Sequence, residues 1–137
     1  MGMIHEEITL INAVDVGNVQ RGYIGEQQVR RITVTAIVDT GAATLFITEA
    51  VRQTLGLNIQ GERYTRTANG ARVACEVTEP VEICWKERST ACRAIVIPGA
   101  ENILLGAIPL EDMDLMVNPV KQTLEGVHGD EVISLAL

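Results

Sequence analysis

The sequence predicts a mostly-β domain with one or two short helices. Runs rich in Val, Ile and Thr recur along the chain, as is typical of strands. Turn signals such as Asn69-Gly70 and Pro98-Gly99 separate these runs at short intervals. A clear helical pattern is confined to residues 48–57. With 137 residues the length suits one hydrophobic core, so we expect a single domain over residues 1–137.

The first predicted strands lie before residue 40. Residues 7–14 form a β-prone run that leads into a predicted turn at residues 15–18. Residues 27–39 form a longer extended run. Its last part, residues 34–38, is nearly all apolar or β-branched, which favours a strand that is buried on both faces.

The predicted helix over residues 48–57 has signals at both ends. Thr48 suits the N-cap, and Glu49 suits the positive end of the helix dipole. Gly56 stands where a helix usually ends. We therefore expect the helix to begin and end at these residues.

Two hairpins are predicted after this helix. Residues 63–77 read as two strands around Asn69-Gly70, since both of these residues tolerate positive φ. Residues 81–85 and 90–97 flank a short polar turn and form the second hairpin.

The last part of the chain predicts a strand, a helix and a hairpin. Residues 102–106 form a buried strand that ends at a glycine, and residues 109–114 suit a short helix that begins at a proline. Residues 114–119 and 121–127 read as a closing hairpin, and residues 130–137 are a final β-prone segment.

Charge and composition exclude several classes of function. Eleven basic and 18 acidic residues give a net charge of −7, which disfavours binding to nucleic acid or to an anionic membrane surface. Hydrophobic residues make up 47% but aromatic residues only 3%, so the core should be aliphatic. Apolar runs stay short of the ~20 residues of a membrane span, and the N-terminus does not resemble a secretion signal. We expect a cytoplasmic protein.

The candidate metal ligands are scattered, so we expect no metal and no cofactor. The cysteines Cys75, Cys84 and Cys92 lack zinc-site spacing, and we expect them to be reduced, half-buried strand residues. His5 and His128 lie near opposite ends of the chain. Motifs for nucleotide phosphates are missing from the sequence.

Acidic residues then remain as candidates for chemistry. Asp112 and Asp114 lie near the predicted short helix, and we interpret them as a solvated face. Asp39 ends the apolar strand in the stretch AIVDTGAAT. It suits a turn, but it should also lie in or beside the core, where a carboxylate without a partner is costly.

Three segments, in this order, resemble the retropepsin-like (retroviral-type) aspartic proteases. They are IVDTGA (37–42), TANG (67–70) and NILLGAIPLEDMDLMVNP (102–119). The resemblance covers about residues 30–125 and is closest to single-domain bacterial-type members. It implies a closed β-barrel equal to one lobe of the acid-protease fold.

The resemblance implies hydrolysis of polypeptides by two carboxylates that share one proton. One carboxylate activates a water, and the other donates a proton to the scissile carbonyl. The chain has a single Asp-Thr-Gly, so the second carboxylate would come from Asp39 of another copy in a C2 homodimer.

The family also implies roles for the residues around Asp39. Thr40, Gly41 and Ala42 would support the catalytic loop, with Thr40 bonding across the two-fold axis, and residues 104–106 would pack behind it. A flap would close over the substrate; its tip would comprise Thr67, Ala68, Asn69, Gly70 and Ala71.

Departures from the family pattern keep other readings open. Ala43 stands where members often carry a polar residue, and the flap has one glycine beside Arg66 and Arg72. These arginines either select acidic peptides or are solvated. Three functions therefore stay open. The chain is a protease, a non-catalytic dimerisation or peptide-binding module of the same fold, or an unrelated small barrel in which Asp39 is a turn residue. The final segment, residues 131–137, would serve the dimer or form an edge strand.

Overall fold

The computed structural model describes residues 3–129, which contain nine strands and three short helices. The predicted segment at residues 130–137 lies outside the described residues. The strands are β1 (Ile4–Asn12), β2 (Arg31–Val38), β3 (Leu45–Ile47), β4 (Ile59–Arg66), β5 (Arg72–Trp85), β6 (Arg88–Val96), β7 (Ile103–Leu105), β8 (Leu115–Asn118) and β9 (Thr123–Gly126). The helices are α1 (Ala13–Gln20), α2 (Glu49–Leu55) and α3 (Ala107–Asp112).

Six strands close into a barrel. They are hydrogen-bonded in the order β1-β2-β7-β3-β6-β5, and β5 pairs with β1 to complete the ring. The pairs β2–β7 and β3–β6 are parallel, and the other pairs of the ring are antiparallel. Strand β4 lies outside the ring on β5, and β8 pairs with β9 alone. The predicted mostly-β closed barrel is confirmed.

The barrel interior is aliphatic, as the composition predicts. Fully buried side chains include Leu10, Leu45, Ile83 and Leu105. Trp85 is 6% exposed and is the one aromatic residue of the core among the described residues. Close-packed aliphatic side chains from facing strands therefore supply most of the hydrophobic stabilisation.

Local signals predicted α2 and both hairpins correctly. The Thr48 hydroxyl accepts a hydrogen bond from Val51 N at 3.2 Å, and Gly56 ends α2 with φ +63°. Gly70 has φ +84° in the turn between β4 and β5. The next hairpin has a two-residue turn in which Lys86 has φ +51°.

The predicted turn at residues 15–18 is wrong, because this segment belongs to α1. The Asn12 side chain accepts a hydrogen bond from Asp15 N at 3.1 Å, which caps the helix. The same side chain donates to Leu55 O at 2.8 Å, at the end of α2. Asn12 thus joins two helices. The described residues contain three short helices, whereas the sequence predicts one or two.

An ion pair holds α1 against the start of β2. The carboxylate of Asp15, a residue that is 4% exposed, accepts from Arg30 Nε and Nη2 at 2.9 Å each and from Arg30 N at 3.0 Å. The hydrogen bonds from the Arg30 side chain lower the pKa of Asp15, although burial opposes this shift. Arg30 also packs across Gly56, where an added Cβ would lie 1.9 Å from Nη1.

Other boundaries differ from the prediction. Residues 26–28 form a 3₁₀ turn, so the long run over residues 27–39 becomes a strand only at Arg31. Strand β5 is continuous through Pro80, with a register shift where the proline cannot donate. Helix α3 begins at Ala107, two residues before Pro109.

Asp114 does not lie on a solvated face as predicted. Its carboxylate is 2.8 Å from His128 Nδ1, and its backbone has φ +57°. Arg88 Nη1 donates to the carbonyls of Met113 and Asp114 at 2.8 and 3.0 Å. This cluster ties the start of β6 to the end of α3. Asp112 itself is exposed and accepts from the Thr90 hydroxyl.

The cysteines are strand residues with free thiols. Cys84 and Cys92 are half-buried as predicted, but Cys75 is buried, with 2% exposure. Cys75 and Cys84 lie on β5 and Cys92 on β6, and burial raises the pKa of all three thiols. None of the helices within residues 3–129 has the length and apolar character needed to cross a bilayer.

Replacing Asp15 by Asn should lower the free energy of unfolding by about 2–3 kcal/mol at pH 7, because Arg30 loses its ionic partner. Folding lowers the pKa of Asp15, so this stabilisation is present above the unfolded value of about 3.9. It is lost as the pH falls through the lower folded value. Denaturant titrations from pH 7 to pH 2 should therefore show the natural and Asp15→Asn curves converging in acid.

Glu26→Gln is the matched control. It removes an exposed ion pair with Arg31 at 3.0 Å and should change the free energy of unfolding by less than about 0.5 kcal/mol. Equal losses for the two variants would contradict a special role for Asp15.

Candidate active site

The site is built on the Asp39 loop, residues 39–44, which joins β2 to β3. Asp39 directly follows β2, and its backbone N donates to Leu105 O on β7 at 3.0 Å. Ala42 N then donates to Asp39 O at 3.0 Å, which makes the loop turn tightly. The parallel pairing of β2 with β7 therefore determines where Asp39 lies.

The Asp39 carboxylate is half-buried at the rim of the barrel. Its Oδ1 accepts a hydrogen bond from Gly41 N at 2.9 Å. An added Cβ at Gly41 would lie 3.2 Å from that oxygen, so glycine gives the carboxylate room. Within residues 3–129 this is the one hydrogen bond of the carboxylate, which leaves Oδ2 available to another group.

The start of α3 supports the loop from behind. Ala107 N donates to Ala42 O at 2.8 Å, and Ile108 N donates to Ala43 O at 2.9 Å. The backbones approach so closely at Gly106 that an added Cβ would lie 2.4 Å from Thr44 O and 2.5 Å from Ala42 O. Leu105 and Gly106 thus lie against the loop, as the sequence predicts.

A cavity of about 300 Å³ opens beside Asp39 and Thr40. We call it the Asp39 cavity. Thr40 is exposed, so its hydroxyl is available at the rim. The other lining residues are mostly apolar and come from β1, β2 and the β8–β9 hairpin: Met3, Ile4, Ile37, Val38, Val117, Pro119 and Gln122.

The predicted flap tip, residues 67–71, forms the turn of the β4–β5 hairpin. Thr67 N donates to Ala71 O at 2.8 Å, and Gly70 N donates to Thr67 O at 2.9 Å. Residues 67–71 do not line the Asp39 cavity, so this structure does not bring the tip to the carboxylate. Arg66 donates to Gly70 O at 3.1 Å, and Arg72 lies over the Tyr64 ring at 3.8 Å.

A second depression, of about 420 Å³, begins where the Asp39 loop ends. We call it the arginine groove. Arg63 on β4 and Arg93 on β6 line it, and sequence reasoning did not find either residue. They lie on strands far apart in the sequence, and β4 shows no alternation of buried and exposed residues that would single out Arg63.

Candidate metal ligands do not come together in the part of the chain that the structure describes. Residues 3–129 contain no cluster of three or more His, Cys, Asp or Glu side chains that would hold an ion. His128 contacts Asp114 rather than Asp39. The chemistry available at the loop is that of a carboxylate.

Comparison with known proteins agrees with this geometry. Residues 25–112 match the sequence family described as "gag-polyprotein putative aspartyl protease". No curated protein matches the chain. Among solved structures, the retroviral protease-like domain of Ddi1 from Leishmania major has a TM-score of 0.55 at 15% identity, covering 90% of this chain and 87% of that one. This likeness supports the fold.

Two further solved structures show weaker structural likeness. EIAV protease complexed with the inhibitor HBY-793 has a TM-score of 0.48 at 26% identity, covering 58% of this chain and 76% of that one. A retropepsin-like aspartic protease from Rickettsia conorii has a TM-score of 0.47 at 19% identity, covering 86% and 89%.

Gly106→Ala should lower the free energy of unfolding by about 2–3 kcal/mol, because the new methyl group would push the loop backbone away. Chemical denaturation measures this loss. Gly61→Ala is the control, since a Cβ there meets open space, and it should stay within about 0.5 kcal/mol of the natural protein. Equal stability of the two variants would contradict the close approach at Gly106.

Proposed function

Since the chain belongs to the gag-polyprotein aspartyl protease family, we propose that it is an aspartic endopeptidase in which Asp39 acts with Asp39 of a second copy. The observation that carries this proposal is the setting of the carboxylate. The backbone N–H of Asp39 donates to Leu105 O, and its carboxylate accepts from Gly41 N. Asp39 and Thr40 together border an open cavity.

The proposed reaction needs two carboxylates with one proton between them. The ionised carboxylate takes a proton from a water molecule, which attacks the scissile carbonyl carbon. The protonated carboxyl group donates its proton to the carbonyl oxygen as the tetrahedral intermediate forms. The carboxyl group that took the proton from water then gives it to the amide nitrogen, the C–N bond breaks and the amine leaves. A hydroxyl of the intermediate returns its proton to the other carboxylate, so the pair again holds one proton. The Gly41 N–H stabilises negative charge on Oδ1 of Asp39, while Oδ2 is directed to the water or to the second Asp39.

The surface around the Asp39 cavity favours a second copy as the source of that carboxylate. Met3, which lines the cavity, is 67% exposed, and Val120, next to the lining residue Pro119, is 91% exposed. A C2 dimer would cover such groups and would place two identical loops face to face. Thr40, exposed in the single chain, would then donate its hydroxyl across the two-fold axis.

A non-catalytic peptide-binding or dimerisation module is the second candidate. Ala43 favours it, because its methyl group cannot bind a substrate backbone and its carbonyl already accepts from Ile108 N. The intact Asp39-Thr40-Gly41 turn, with its hydrogen bond to the carboxylate, favours the protease.

The proposed substrate is a polypeptide in the cytoplasm. The free thiols of Cys75, Cys84 and Cys92 suit a reducing compartment. An extended peptide would lie over the Asp39 loop, with the β4–β5 hairpin closing above it.

Mixing the natural protein with Asp39→Asn tests the shared site. If each active unit needs two Asp39 carboxylates, an equimolar mixture with free subunit exchange should retain about one quarter of the activity of the same total amount of natural protein. A catalyst that works as a single chain would retain about one half. Cleavage of a mixed peptide library at high protein concentration and several pH values measures this.

Glu111→Gln is the matched control, because that carboxylate is exposed on α3 and lines neither the Asp39 cavity nor the arginine groove, and it should keep full activity. Equal cleavage by the natural protein and pure Asp39→Asn would refute the proposal. Absence of cleavage by both at every pH would favour the binding module.

Substitution of Thr40 tests its role across the two-fold axis. Thr40→Val should leave the unfolding of the isolated chain unchanged, since Thr40 is exposed there. It should weaken the dimer about tenfold, as expected for the loss of two symmetry-related hydrogen bonds worth ~0.7 kcal/mol each. Thr40→Ser keeps the hydroxyl and should dimerise normally. Sedimentation velocity over a concentration series measures the dissociation constant of each dimer. Equal dissociation constants for Thr40→Val and Thr40→Ser would exclude a role for the hydroxyl.

A further inference from the structure

We propose that the arginine groove selects peptides with an acidic side chain, glutamate above all, at a position flanking the scissile bond. This inference rests on the proposed peptidase function and specifies its substrate class. The groove begins at Ala43 and Thr44, directly after the Asp39 turn, and Asp39 itself does not line it. It therefore suits a side chain near the cleaved bond but not at it.

The floor of the groove is apolar. Side chains from β3, β5, β6 and α3 form it, and Cys75 and Cys92 lie at its base; the apolar members are Phe46, Val77, Ile95 and Ile108. Ile108 is 55% exposed in the single chain, which is high for a large aliphatic residue beside a concave surface. The methylene groups of a long side chain would cover this surface.

The charged residues that line the groove are both arginines. Arg63 lies on β4 and Arg93 on β6, the two strands that flank β5, so their side chains approach the groove from opposite sides. Both residues are exposed, and neither forms a salt bridge within residues 3–129. Two guanidinium groups in a chain of net charge −7 form an unusual positive site that matches a carboxylate.

The strand register turns two acids of the β4–β5 hairpin away from the groove. Asp112 on α3 lies near Cys92, but it accepts a hydrogen bond from Thr90 and does not line the groove. Arg63 pairs with Cys75, and both residues line the groove, so they lie on the same face of the sheet. Glu62 pairs with Glu76 one position along, so these carboxylates leave the opposite face of the sheet. The alternation of side chains thus separates like-charged groups on the two faces of the β4–β5 hairpin.

The residues that border the groove on the loop side do not repel an anion, and the flap arginines have other partners. Ala43 and Thr44 are uncharged, so the wall nearest the Asp39 turn does not repel an anion. Arg66 and Arg72 are engaged within their own hairpin, by a hydrogen bond to Gly70 O and by the Tyr64 ring. Arg63 and Arg93 line the groove directly, whereas Arg72 reaches it only through the Tyr64 ring, so the two groove arginines supply most of the selectivity.

The test compares two synthetic peptide pools that differ in one residue. Each pool has an apolar background and carries either one Glu or one Gln at every position in turn. We expect kcat/KM to be at least about tenfold higher for the preferred Glu peptide than for its Gln counterpart at low salt, with the ratio falling as salt is added. The double variant Arg63→Gln/Arg93→Gln should reduce the ratio to about one while still cleaving apolar peptides.

Arg21→Gln makes the same kind of charge change at the end of α1 and should keep the preference for Glu. Thermal unfolding confirms that each variant is folded. Equal cleavage of Glu and Gln peptides by the natural protein would overturn this inference and leave the proposed function standing.

A binding measurement distinguishes failure of the proposed peptidase function from failure of the proposed selectivity. If the natural protein cleaves neither pool, the peptidase function fails. Fluorescence anisotropy with Asp39→Asn then tests the groove alone. Tighter binding of Glu than Gln peptides, lost in the double arginine variant, would support the selectivity, and equal binding would refute it.

Discussion

The close approach of two backbones at Gly106 is the constraint on which the rest of the structure depends. Ala42, Thr44 and the start of α3 meet there at distances that leave no space for a side chain. The three-residue strand β7 can therefore pair with β2 on one side and β3 on the other. That double pairing places the Asp39 turn at the rim of the barrel and the groove beside it.

Features with local causes were predictable from the sequence. Helix α2 has its own cap residues, and the Asn69-Gly70 turn brings its flanking strands together without help from distant residues. Helix α1 was missed although Asn12 caps it locally, because Asp15 suits a turn and the contacts that hold the helix in place are distant: Asn12 binds Leu55, and Asp15 binds Arg30. Its own residues, rich in Val with a central glycine, have weak helix propensity.

The candidate site likewise has a part that was predictable from the sequence and a part that was not. The position of Asp39 at a strand end was apparent because an apolar run stops there, and the family pattern identified its loop. The arginine groove was not apparent, because Arg63 and Arg93 meet only when β4 and β6 both pair with β5. The environment of Asp114 was missed for a similar reason, since Arg88 reaches it from the start of another strand.

Closure of the barrel through β1 and β5 has a consequence for how the chain folds. The strand near the start must remain unpaired on one edge until a strand from the middle of the chain has formed, so native pairing of distant segments should limit the folding rate. Until then both strands present open edges that other chains can join. Once the ring is complete, β4 is left at the margin of the seven-stranded sheet, and its mostly exposed, charged and polar side chains discourage further strand addition. Aggregation is thus a hazard of assembly more than of the finished barrel.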